Sequence, residues 1–550
     1  MDIPRGDDAL FRITLDQGYS IESVSYPSSS IVNDGNVALL TLEDVLYSTV
    51  VTIETKYVEV ISSSSSSYSV MPSASNSEPE ALHVDLESDW AQIRVHAPNG
   101  FEFFRVNGFL QTGWTTLPNR EGDYVGFGWR VDKDVRRLYP LFESETSLDR
   151  FQFEENEDGY RVIGYSGDDE RIVMPSAYQD KPITGVASGA IASDSLESLV
   201  LPPSMRRLQK NSIVCPNLKT LTFYDSLTTV FDKSIDCPSL QTIRLNAVLK
   251  PRFSGTYWDT FQNKVDFLWQ NQGEKKLILF SGSSARYGYD SPTIEASFPD
   301  YRVVNMGVFA YSNAYPQLEL ISTYLNKGDV VFHTPELDAI PTQFFCDRYF
   351  DPRFWYMLES GYQELERLDI RRFGRVFSSF TAFQTTRSYM QERDYSIWAY
   401  LYDDEGVKYE FPIYNDNGDM TLYRPNTEGY VGPISQPVID YRVEPLFGEY
   451  EGKVKAMDDL YHEYISKLGI KILFGHAPKN IYCLESSGTA EDRKEIDAYL
   501  AENITVPIIM DLESSLYDTT YFYKIDNHLS TEGVGIHTAK IISFLKAAGL

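Results

Sequence analysis

Two short stretches, far apart in the chain, carry residue types that together suit acyl transfer. The first, Ser281-Gly282-Ser283-Ser284-Ala285-Arg286-Tyr287-Gly288, follows an apolar run and holds a Gly-x-Ser-x-x-x-Gly spacing. A serine at such a strand-to-helix turn stands where backbone N–H groups and the helix dipole favour a developing oxyanion. The second, Lys524-Ile525-Asp526-Asn527-His528-Leu529-Ser530-Thr531-Glu532-Gly533, sets a histidine after an aspartate and just before a closing helix. An imidazole in that place can act as general base toward a serine hydroxyl. Ser284 is therefore the candidate nucleophile, His528 the candidate base and Asp526 the nearest candidate acid.

These side chains need a frame, and the sequence around them supplies one. Lys276–Phe280 is an apolar run bounded by polar residues, as a buried parallel strand should be. Similar runs begin near Val303, Val330, Ile470 and Val506, and helix-like stretches lie around 315–326, 453–467, 489–502 and 531–548. Strands alternating with helices predict a parallel sheet covered on both faces, with its site at the carboxyl ends of the strands. Residues 251–550 are expected to form this domain and to own a complete core.

The order of the motifs resembles the SGNH, or GDSL-like, hydrolase superfamily: a serine after strand one, a glycine after strand two and a histidine before the last helix. The resemblance implies a three-layer, flavodoxin-like α/β fold and a serine esterase or acyltransferase acting on acyl esters, acetyl above all, of glycans or cell-wall polymers. Matched position by position, Ser284 is the nucleophile, Ser284 and Gly307 line the oxyanion site, and His528 is the base. The chain departs from the family in three places. Ser283 replaces the usual aspartate of the first block. Glu336, in His333-Thr334-Pro335-Glu336-Leu337-Asp338, stands where an asparagine donor is usual, and a carboxylate donates no hydrogen bond unless protonated. The acid usually lies three residues before the histidine, which is Ile525 here, so Asp526 and, in reserve, Asp518 are the candidates alongside Glu336. A chain with these departures has an alternative reading, as a non-catalytic adhesin or glycan-binding protein on a degenerate hydrolase fold.

Residues 341–450 interrupt the strand–helix alternation and are dense in aromatics, among them Phe344, Phe350, Trp355 and Trp398. Inserted between strands three and four, they are expected to cap the site or to pack as a small core of their own. His333, His462, His476, His528 and His537 show no H-x-x-x-H spacing, so neither a catalytic metal nor another cofactor is expected.

Upstream, the chain reads as a string of smaller units. Residues 1–61 alternate apolar and polar positions, as an all-β module does. A serine-rich linker follows over 62–80, with six consecutive serines from Ser62 to Ser67. Residues 81–150 form a second β module, whose Gly108–Thr116 stretch and Tyr139-Pro140-Leu141-Phe142 resemble the G-W-x-T repeats of bacterial cell-surface proteins. Over 151–250 a period of 22 residues is explicit: Ile183, Met205 and Leu227 share it, as do Ile191, Ile213 and Ile235. With Leu199, Leu221 and Ile243 in L-x-x-L-x-L frames, this predicts a stacked leucine-rich solenoid. Cys215 and Cys237 occupy one repeat position and are expected to stack as small side chains. The unit resembles the BspA-like leucine-rich repeats of bacterial surface proteins, which implies export and a protein ligand on the solenoid.

Composition limits the alternatives. A length of 550 residues calls for three or four domains, and 42% hydrophobic and 14% aromatic content is ample for packed cores. The 79 acidic against 49 basic residues give a formal charge of −30, which argues against nucleic acid as a partner. Four cysteines without a C-x-x-C pair argue against a zinc ribbon or disulfide scaffold. No apolar run reaches the roughly 18 residues of a membrane span. The opening residues do not read as a signal peptide, so the expected extracellular or cell-surface location requires an export signal already removed.

Overall fold

The structure is a computed structural model. It describes residues 108–550 apart from 132–134, 136, 254–255, 257, 311, 339–346, 391–413, 427–439, 486–487 and 524–525, and before residue 108 only the backbone of short strands. Among those early strands, Asp7–Thr14, Ser29–Asp34 and Val37–Val45 form an antiparallel sheet. The serine tract lies outside the described residues.

A twisted antiparallel pair, β1 (Phe109–Thr115) and β2 (Arg137–Ser144), leads into the repeats. There β3 (Arg171–Val173), β4 (Ser198–Val200), β5 (Thr220–Tyr224) and β6 (Thr242–Asn246) stack in parallel. Leu199, Leu221 and Ile243 fall in register and are fully buried, as the repeat spacing predicts. Each coil has two further sides, one running Val186, Leu208 and Val230 and another Ile191, Ile213 and Ile235. Gly189, Asn211 and Lys233 all adopt positive φ, so the same left-handed corner recurs in each coil. The free Cys215 and Cys237 donate to the carbonyls of Ile191 and Ile213, one repeat apart, in the stack their spacing predicts.

The β1–β2 pair and the segment connecting its strands brace this stack from end to end. At the first coil Glu143 pairs with Arg171 and Glu145 accepts from Ser176 N. At the last, Phe127 N donates to Asn246 Oδ1 at 2.7 Å and Trp129 Nε1 to Leu245 O at 2.7 Å.

After α1 (Asp259–Gln270), the C-terminal part is α/β. β7 (Lys276–Phe280), α2 (Ser283–Arg286), β8 (Arg302–Asn305), α3 (Ala314–Ser322) and β9 (Val330–His333) open it. Then come α4 (Pro352–Leu358), α5 (Val376–Tyr389), α6 (Glu451–Leu468), β10 (Lys471–Phe474), α7 (Ala490–Asn503) and α8 (Thr531–Ala547). The strands run parallel in the order β8-β7-β9-β10, all but their ends buried. The fifth predicted strand is reduced to one parallel bridge between Phe474 and Ile508. Pro507 lacks an N–H for the ladder; its carbonyl accepts from Phe474 N, and Ile509 N donates back to Phe474 O.

The insertion after β9 divides. Its α4 packs on α5 and α1, and α5 lies against the solenoid: Phe223 meets Phe380 edge-on at 5.4 Å, and Thr381 bonds to both polar backbone atoms of Val230. Arg387 is buried in this seam between Asp225 of the solenoid at 2.9 Å and Glu359 at 2.6 Å. The aromatics Phe350, Phe354 and Trp355 are buried among α1, α4 and α5. A second piece, Tyr414–Asn426, returns to the strand ends, where Asn417 O accepts from Asn305 N at 2.7 Å. Phe344 and Trp398 lie outside the described residues. One apolar core runs continuously from the solenoid through the seam into the sheet.

Candidate functional site

The carboxyl ends of β7 and β9 and the loop before α8 converge, as expected for such a sheet. β7 ends at Phe280, whose carbonyl accepts from Thr334 N at 2.9 Å and so ties the two strand ends together. Ser281 then bonds through its hydroxyl to Thr334 O, fixing the turn that carries Gly282, Ser283 and Ser284. Gly307 lies hard against that turn. A Cβ there would come within 2.5 Å of Arg286 N and 2.7 Å of Gly282 O, so only glycine fits.

The hydrogen-bond partners within this convergence differ from those that the sequence pairing of Ser284 with His528 leads one to expect. The Ser284 hydroxyl is fully buried and bonds to Ser281 Oγ at 2.9 Å, not to His528. The Ser284 N–H, expected to face an oxyanion, donates to Glu336 Oε1 at 2.7 Å. The other carboxylate oxygen of Glu336 accepts from Asn527 Nδ2 at 3.3 Å, so one buried carboxyl joins the serine turn to the histidine loop. The Gly307 N–H donates to Asn305 Oδ1 at 3.0 Å. Both expected oxyanion donors are thus engaged by the protein itself.

His528 lies flat on Tyr287, ring centroids 3.9 Å apart, and its Nε2 is buried without a hydrogen-bond partner. Burial, and then the nearby Arg286 and Arg424 guanidinium groups, hold its pKa well below the ordinary imidazole value. The two aspartates expected to orient it are used elsewhere. Asp526 forms a buried ion pair with Lys479. Asp518, on the surface, caps the short turn Thr519–Tyr521 by accepting from Thr520 N at 2.9 Å. The aspartate order read from the sequence therefore reflects an ion pair and a helical cap. Neither of those roles can be told from a catalytic one by spacing alone.

Glu336 has the chemistry its surroundings dictate. Burial first, and then Asp338, push its carboxyl up to about 8, against the pull of the Ser284 N–H and Lys479. It can hold a proton near neutrality and then donate, the condition the sequence reading required of it.

Several basic groups here were not read from the sequence: Lys264, Arg286 and Arg424 are all buried beside the site. Arg286 lies within the serine motif itself. Arg424 arrives from the returning part of the insertion, and donates to the carbonyls of Leu529 at 2.9 Å and Tyr287 at 3.3 Å. The only available signal was a charged residue within an otherwise apolar or small-residue context. Among the described residues, no group of three or more His, Cys, Asp or Glu side chains could hold a metal ion.

No family model matches the chain, and no curated protein matches it. Among solved structures, a leucine-rich repeat protein from T. pallidum is similar at 17% identity. The match covers 34% of this chain and 71% of that one, with a TM-score of 0.12. The solenoid assignment rests on the stacked 22-residue coils rather than on that likeness, and no helix among the described residues is long and apolar enough to cross a membrane.

Proposed function

We propose that this chain is a non-catalytic recognition protein of the bacterial cell surface, in which a leucine-rich solenoid is fused to a hydrolase-like domain that serves binding. The observation that carries this reading is the Glu336 carboxyl on the Ser284 N–H at 2.7 Å. An acyl-transfer centre needs that donor aimed at open space where negative charge develops. It also needs its base within hydrogen-bond reach of the nucleophile, and Ser284 bonds to Ser281 instead. The solenoid and the loops at the strand ends then act as binding surfaces for a protein ligand or a glycan.

A fluorophosphonate probe applied to the full chain tests this directly. No labelling that depends on Ser284 is expected, and hydrolysis of an acetyl ester should be equal in wild type and Ser284→Ala. Labelling that disappears in Ser284→Ala would overturn the reading in favour of a serine esterase or acyltransferase, with Glu336 as a displaceable plug.

A further inference from the structure

Each coil of the solenoid presents three sides, and two of them are met by other parts of the chain. The brace lies on the side of Val200 and Thr222, which are buried, and there Tyr224 Oη donates to Gln111 O at 3.1 Å. Helix α5 meets the second side at Val230 through Thr381. The third side, running Ile191, Ile213 and Ile235, leaves Ala192 and Asp236 exposed. Cys215 and Cys237 stand at the end of this open side, each two residues beyond its isoleucine.

Stacking brings the two thiols to one another. Val214 pairs with Asp236 in parallel register, and Cys215 N donates to Asp236 O at 3.3 Å, so Cys237 lies directly on Cys215. Both cysteines enter the same turn: Cys215 O accepts from Leu218 N at 3.1 Å, and Cys237 O from Leu240 N at 3.0 Å. Each Sγ points back along the stack, to Ile191 O at 3.8 Å and to Ile213 O at 3.9 Å. Equivalent backbone positions are one strand spacing of about 4.8 Å apart, inside the range of about 4.4–6.8 Å between the Cα atoms of a disulfide. The thiols also hydrogen-bond to each other, and that bond holds Cys215 below the ordinary thiol value and pushes Cys237 above it. The first proton is thus lost from Cys215, buried beneath its half-exposed neighbour.

We infer that Cys215 and Cys237 are a redox site, closing to a disulfide that staples two successive coils on their open side. A low-molecular-weight disulfide is the oxidant. Its exchange with the half-exposed Cys237 leaves a mixed disulfide and one free thiol. The Cys215 thiolate then attacks Cys237 Sγ and expels the second thiol. One S–S bond forms between the coils, the external S–S bond is lost, and the two cysteine protons pass to the two released thiols. To test this, the folded full chain is incubated with glutathione disulfide, its remaining thiols are alkylated and the product is digested with trypsin. Peptides 211–219 and 234–244 should be recovered joined, and should separate on reduction. Because the closed loop restricts the unfolded chain, oxidation should raise Tm more in the wild type than in Cys237→Ser. That variant exchanges a half-exposed thiol for a hydroxyl that can still bond to Ile213 O. Glutathione retained on Cys237 with Cys215 open to alkylation, or both cysteines alkylated as free thiols, would overturn the proposal. Joined peptides without that difference in Tm would overturn the staple.

Discussion

At the scale of single residues, Glu336 and two histidines should shape how stability depends on pH. In the folded chain Glu336 keeps its proton up to about 8, whereas an ordinary glutamate loses it near 4.5. Folding therefore loses stability through this group as pH climbs across that window. Glu359, buried and pushed up to about 7, adds a loss of the same sign. His333 and His537 work at the other limb. Both are buried and pushed down to about 3, so below about 6.5 the unfolded chain takes up protons that the folded chain refuses, and stability falls with pH. Thermal denaturation across this range should give a maximum at mildly acidic pH, and Glu336→Gln should flatten the decline that Glu336 contributes between about 4.5 and 8 while leaving the slope below about 4.5 unchanged. Identical slopes on the alkaline side in both proteins would contradict the assignment. None of this could be read beforehand, because a lone glutamate after Thr334-Pro335 gives no sign of what will bury it.

At the scale of elements, the sequence was most informative where physics repeats. The 22-residue step forces each apolar side chain onto the one below it, so the register of Leu199, Leu221 and Ile243 follows from spacing alone. Four of the five predicted sheet strands were equally legible, since buried parallel strands are continuous apolar runs. The fifth was not, because the proline that interrupts its ladder sits inside a run that is otherwise apolar. The site was legible only as positions. Ser284, Glu336 and His528 were placed in converging loops, but which atom bonds to which depends on distances that spacing does not carry. Leu221→Ala, at the centre of the stack and fully buried, should cost about 2–5 kcal/mol. Chemical denaturation is the measurement, and a change below about 1 kcal/mol would mean that the coils do not depend on one another.

At the scale of the whole molecule, the insertion expected to act as a cap also works as a dock. Arg387 is a buried cation that joins the two halves, shared by Asp225 in the solenoid and Glu359 beyond it. Arg387→Ala would leave two buried carboxylates without their counter-charge, which should cost about 3–5 kcal/mol. Because the seam is part of one continuous core, the variant should also separate the single unfolding transition into two, seen as a lower and broader urea profile with a reduced slope. A sharp single transition shifted by less than about 1 kcal/mol would show that apolar packing alone holds the halves together.

The brace laid across the coils has a consequence for how such a protein can diverge. Solenoids ordinarily change length by duplicating a unit, each copy advancing the stack by one strand spacing of about 4.8 Å. Here the end of β2 and the residue after it grip Arg171 and Ser176 at one end, and Phe127 and Trp129, in the connection between β1 and β2, hold Asn246 and Leu245 at the other. An added coil would pull one grip out of reach, and a deleted coil would leave the brace overhanging. Repeat number is thereby locked, and new specificity on this solenoid must come from exchanging side chains on coils whose count stays constant.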